Sequence, residues 1–156
     1  MSLLRLAALW AGAMLAQWWW SAHAPAWAGS PQILLALTVV IAARDGAGLA
    51  VPFGWTWGLY SDVLRADLFG ADALLYMLAG YAAGLVRRQV DLEAPGPLAV
   101  AVFLLSWLYL LARLALGLIF ARTALWPGWI AALANPPLNA ALAVAAAAMW
   151  DRRPAR

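Results

Sequence analysis

Long apolar runs follow one another along the chain, separated by short groups of Arg, Asp, Gly and Pro. The first covers residues 3–20, beginning beside Arg5 and ending in Trp18-Trp19-Trp20. The second, residues 31–43, stops at Arg44-Asp45-Gly46. The third, residues 49–64, holds Pro52 near its start, where a missing N–H costs least. A polar link with Arg65 and Asp67 leads to the fourth, residues 68–86, which stops at Arg87-Arg88. The stretch from Gln89 to Gly96, with Asp91, Glu93 and Pro95, reads as a loop. The fifth run, residues 97–120, is interrupted only by Arg113. Trp126-Pro127-Gly128-Trp129 reads as an interfacial turn or half-helix, and Asn135 as the N-cap of a sixth helix over residues 137–150.

Runs of this length and kind predict helices that cross a bilayer, at about 20 residues each. The second run is the exception. Thirteen residues are too few for a perpendicular crossing, so that helix is expected to be short or to thin the bilayer locally. Composition agrees: 67% of the 156 residues are hydrophobic and 11% charged, too little polar material to coat a water-facing domain. The expected fold is an all-α membrane protein, one domain over residues 1–156, with six transmembrane helices.

The ten basic residues are all arginines and are scattered between apolar runs rather than gathered on a face, which argues against nucleic acid and for topology. With the N-terminus inside, Arg5, Arg44, Arg87, Arg88, Arg152, Arg153 and Arg156 fall on the cytoplasmic side. Arg65, Arg113 and Arg122 fall outside, so both termini are expected in the cytoplasm. A signal peptide is the rival reading of the first run, since Ala22-His23-Ala24 and Ala26-Trp27-Ala28 both have a small-x-small form. Three consecutive Trp make a poor end to an h-region and favour a retained helix.

Two small-xxx-small patterns stand out, Gly54 with Gly58 and Gly80 with Gly84. Each clears one helix face, against which another helix of this chain or of a partner can pack. The Ala-rich stretch from Ala140 to Ala148 has the same two readings. An ionisable group at membrane depth is expensive and must be matched. Asp62 and Arg113 have similar expected depth and opposite charge, and are expected to pair inside the bundle; otherwise Asp62 meets Arg65 at the interface. Asp67 and Asp72 read as solvated residues near a helix start, and replacing Asp72 is expected to matter less than bulk at Gly80 or Gly84.

Catalytic patterns are missing from the sequence. It has no Gly-x-Ser-x-Gly elbow, no His-Glu-x-x-His and no phosphate-binding Gly-rich loop with Lys. Zero cysteines and a single histidine, His23, leave no thiolate or His-rich metal site. His23 reads as an interfacial residue. Arg44-Asp45-Gly46 lacks the further carboxylates that a lipid-phosphate enzyme with a metal would need. No cofactor and no enzymatic activity are expected.

One stretch carries a resemblance. Gly54-Trp55-Thr56-Trp57-Gly58-Leu59-Tyr60-Ser61-Asp62, then Leu68-Phe69-Gly70, then Gly80-Tyr81-Ala82-Ala83-Gly84 and the basic stop Arg87-Arg88, is similar to the rod shape-determining MreD family. Asn139 in the last helix fits the same pattern. The resemblance implies a small non-enzymatic inner-membrane subunit of the bacterial elongation machinery that binds the bitopic protein MreC. Through it the chain would be associated with MreB filaments, RodA and its transpeptidase, within membrane lipid, and a homodimer stays open. The resemblance further implies the six-helix fold of the S components of energy-coupling-factor transporters. A vitamin-binding subunit of such a transporter is the alternative function; its outward pocket would have to draw on Asp62, Arg65, Arg113, Arg122 and Asn139.

Overall fold

A computed structural model describes residues 3–23, 31–65, 68–122 and 124–151. Among them every regular element is helical: α1 (Leu3–His23), α2 (Ile33–Asp45), α3 (Ala47–Arg65), α4 (Ala71–Val86), α5 (Pro95–Leu116) and α6 (Trp129–Asp151). A π-helical turn, Gly117–Ala121, prolongs α5. The segments α5 with its π turn (Pro95–Ala121, 27 residues) and α6 (23 residues) are long and apolar enough to cross a membrane.

The shortest helix lies at the centre. Apolar around its whole circumference, α2 has no polar face to offer water, and it is the helix the others surround. It packs against α1, α3, α4, α5 and α6, and Leu34, Leu35, Ala36, Thr38, Val39, Val40, Ile41, Ala42 and Ala43 are all buried. Its thirteen residues make it short, one of the two expected alternatives, and most of them are buried among the other helices.

The closest helix pair is α3 with α4, and glycine explains it. A Cβ on Gly54 would lie 2.7 Å from the Tyr76 carbonyl oxygen, and one on Gly84 2.8 Å from the Ala47 backbone nitrogen. On Gly58 it would collide with the Ala73 backbone, and on Gly80 it would come 3.1 Å from the Ala50 carbonyl oxygen. All four glycines thus face a neighbouring helix of the same chain, and removing their side chains lets two backbones approach as lipid could not. Ala140, Ala143 and Ala147 of α6 are likewise turned inward, whereas Leu104, Leu108 and Leu111 of α5 and Ile130, Leu133 and Met149 of α6 face outward.

Helix ends depart from expectation in places. Pro95 opens α5 instead of belonging to the loop, as a residue without an N–H suits a first helical position. The sixth helix begins at Trp129, earlier than the expected residue 137, and runs through Pro136 and Pro137. Its inward face, Ala132, Asn135, Pro136 and Asn139, is packed against the bundle, which holds the helix despite the two missing N–H groups. Asn135 is therefore a buried mid-helix residue and not an N-cap. Residues 124–128 precede α6 without regular secondary structure, with Gly128 at φ +90°.

At one end of the bundle Arg44 contacts Asp151 (2.8 Å) and Glu93 (3.9 Å), and Arg87 contacts Glu93 (3.6 Å). Arg88 is exposed at the same end. Arg152 and Arg153 lie outside the described residues, as do Asp67, the side chain of Arg5, Ala24 and Ala26-Trp27-Ala28.

Candidate functional site

The opposite end of the bundle concentrates buried polar side chains, and the need to finish two helices accounts for three of them, Gln17, Asp62 and Asn139. The first N–H groups of a helix have no partner within it and must find one elsewhere when buried. Gly70, at φ +91°, turns the chain into α4 and has no side chain to cap it. Asp62, at the end of α3, caps it from outside. Its carboxylate accepts from the backbone N–H of Gly70 (3.0 Å), Asp72 (2.9 Å) and Ala73 (3.2 Å), where the helix dipole also favours a negative charge.

The start of α2 is finished in the same way. The Gln32 N–H donates to Asn139 Oδ1 of α6 (2.8 Å), and the Ile33 N–H donates to Gln17 Oε1 of α1 (2.9 Å). Asn139 is fully buried, and its Nδ2 donates onward to Ser106 Oγ of α5 (3.0 Å). These contacts tie four helices together at one level.

Beside them lies the ionic centre. Arg113 Nη1 donates to both oxygens of Asp72 (3.1 and 3.2 Å), and the Tyr109 hydroxyl donates to Asp72 Oδ1 (2.7 Å). The same hydroxyl oxygen accepts from Arg113 Nη1 (3.0 Å) and Arg65 Nη1 (3.2 Å), and Arg65 lies 3.8 Å from Asp72 Oδ2. Asp72 has no solvent exposure, Arg113 has 6%, and the Arg65 side chain has 31%. The Tyr76 ring tilts against Tyr109 with centroids 5.6 Å apart, walling the centre on the α4 side.

This geometry corrects three expectations. The partner of Arg113 is Asp72, not Asp62, because Asp62 is committed to capping α4. Arg65, expected beside Asp62 as the alternative, reaches toward Asp72 and Tyr109. Asp72 itself is buried rather than solvated. Gln17, Gln32, Ser106 and Tyr109 complete the site without having been expected in it. Spacing along the helices could have found several of them, since Asp72 lies four residues before Tyr76 and eight before Gly80 on the buried face of α4. Ser106, Tyr109, Leu110 and Arg113 form the matching stripe on α5.

An open cavity of about 430 Å³ adjoins the centre. Arg65, Arg113, Tyr109, Gln32 and Asn135 supply its polar wall, and Leu110, Leu125, Trp126 and Pro127 its apolar one. Of the residues expected to line an outward pocket, Arg65 and Arg113 do so, while Asp62, Arg122 and Asn139 do not. Among the described residues no group of three or more His, Cys, Asp or Glu is placed to hold a metal. A second, almost wholly apolar groove of about 390 Å³ runs between α4 and α5, along Leu75, Leu78, Ala82, Leu85, Leu105 and Leu108. Compared with known proteins, the chain matches no family model, no curated protein and no solved structure.

Proposed function

We propose that this chain is a non-enzymatic subunit of the bacterial inner membrane, of the MreD kind, whose six helices cross the bilayer with both termini in the cytoplasm. Its work is to hold the single transmembrane helix of MreC and thereby help organise peptidoglycan synthesis beside RodA and its transpeptidase. The groove between α4 and α5 is the observation that supports this reading most directly. Its lining is apolar along its length, it opens sideways, and the small Ala82 lies between larger leucines, the relief into which side chains of another helix can settle. The glycines of α3 and α4 are already spent on internal packing, so the partner's surface is the neighbouring face of α4 and α5. The end bearing Arg44, Arg87 and Arg88 suits the cytoplasmic side.

Co-isolation with MreC in mild detergent tests the proposal. The parent chain is expected to retain MreC, and Ala82→Trp, which fills the groove at the surface without entering the core, is expected to lose it while keeping the parent elution profile. A parent chain that never retains MreC sinks the family reading; retention undiminished by Ala82→Trp sinks the groove. The cavity beside Arg65 and Arg113 favours a second reading, a small-molecule binding subunit resembling the S components. Stoichiometric riboflavin, thiamine or biotin in the purified protein would support that reading instead.

A further inference from the structure

Two hollows of the bundle share one side chain. Tyr109 lines the polar cavity together with Arg65, Arg113 and Gln32, and it lines the apolar groove together with Leu75, Leu108 and Ala112. Among the described lining residues no other belongs to both. At 3% exposure, Tyr109 is a partition rather than a surface residue. Its two parts serve different sides. The groove is almost wholly apolar, so what Tyr109 presents there is its ring. Its hydroxyl belongs to the ionic centre, donating to Asp72 Oδ1 (2.7 Å) and accepting from Arg113 Nη1 (3.0 Å) and Arg65 Nη1 (3.2 Å).

A tyrosine has two side-chain torsions, and an oxygen held by three charged groups settles both. Hydrogen bonds with an ionised partner are roughly twice as strong as neutral ones, and Asp72 and Arg113 are shielded from the water that would compete for them. The Tyr76 ring, with its centroid 5.6 Å away, backs Tyr109 on the α4 side. The inner wall of the groove is therefore shaped by contacts made outside it. Resting on the reading of that groove as the partner's seat, we infer that Tyr109 is its positioning residue, held by Asp72, Arg65 and Arg113 so that the ionic centre governs how well another helix seats between α4 and α5. A wall ordered beforehand loses less freedom when a partner arrives, and that saving appears as affinity.

The test is a titration of the full chain in detergent with full-length MreC, beside NMR of the full chain carrying ring-labelled tyrosine. The chain has four tyrosines, few enough to assign the Tyr109 signal by its disappearance in Tyr109→Phe. That variant keeps the ring and both Arg113 contacts to Asp72 but loses the hydroxyl. It is expected to keep the parent elution profile and to bind MreC about three- to ten-fold more weakly. Arg65→Gln, outside the groove, is expected to weaken binding in the same direction. Asn139→Leu removes hydrogen bonds to Gln32 and Ser106 at the same end of the bundle and none to Tyr109, so it is expected to bind at parent strength, which separates positioning from general stability. The Tyr109 ring signal is expected to shift in Arg65→Gln, from the cavity side, and in Ala82→Trp, from the groove side. Parent-strength binding in Tyr109→Phe, equal weakening in Asn139→Leu, or a ring signal that either side leaves unmoved would overturn the inference. If the parent chain binds no MreC, the choice of partner fails, and the ring signals alone decide: movement from both sides supports the role of Tyr109, and no movement from either side refutes it.

Discussion

Replacing Asp72 with Asn is the most direct probe of the bundle's polar end. Asparagine keeps the volume and can still accept from Tyr109, but it removes the charge that faces Arg113. Arg113 is 6% exposed and Asp72 not at all, so the guanidinium stays in a low-dielectric site with its carboxylate contacts at 3.1 and 3.2 Å gone. Removing one partner of a buried pair costs about 3–5 kcal/mol. At roughly 2–4 °C per kcal/mol for a chain of this size, the melting temperature is expected to fall by about 6–20 °C. Replacing both members with apolar residues, Asp72→Leu with Arg113→Met, removes the stranded charge, and Tyr109 still accepts from Arg65. That double variant is expected to recover part of the loss, since Arg65 and the buried Tyr109 hydroxyl still lose Asp72. Tryptophan fluorescence in detergent, with eleven tryptophans as reporters, is a sufficient assay. A single variant that melts within a degree or two of the parent, or a double variant worse than the single, would refute the reasoning.

Two further outcomes follow from packing and capping. Gly58→Ala is expected to force α3 and α4 apart at a cost of about 1–3 kcal/mol or more, whereas Gly12→Ala, where a new Cβ meets nothing within 4 Å, is expected to be neutral or to stabilise by up to about 1 kcal/mol; parallel melts of the two compare them. Asn139→Leu leaves the Gln32 N–H without its acceptor and is expected to cost about 1–3 kcal/mol, with faster hydrogen exchange at the start of α2 as its local signature.

The helices themselves were legible because apolar runs with basic stops set their number and order. What the runs could not convey was neighbourhood. Asp62 and Asp72 are ten residues apart and carry the same charge, and depth alone made Asp62 the natural mate of Arg113. The choice was decided by the start of α4, where three N–H groups claimed Asp62, a demand visible only once Gly70 was seen to turn without a capping side chain. Asp72 was readable on a closer pass, since helical spacing placed it on the same face as Tyr76, Gly80 and Gly84. The central position of α2 was not legible for a related reason. A short apolar helix looks alike whether lipid or protein surrounds it, and only the packing of the other five distinguishes the two. Pro136-Pro137 misled in the opposite sense, as two prolines normally mark a helix start, yet the preceding turns are held by their inward face.

Closing one helix with a side chain from another has a bearing on biosynthesis. The amide of Gln32 finds its acceptor 107 residues further along the chain, on Asn139. While the ribosome is still extending the polypeptide, the beginning of α2 has emerged but the group that completes it has not been made. The central helix is thus completed only when α6 arrives, and until then the Gln32 amide must find another acceptor.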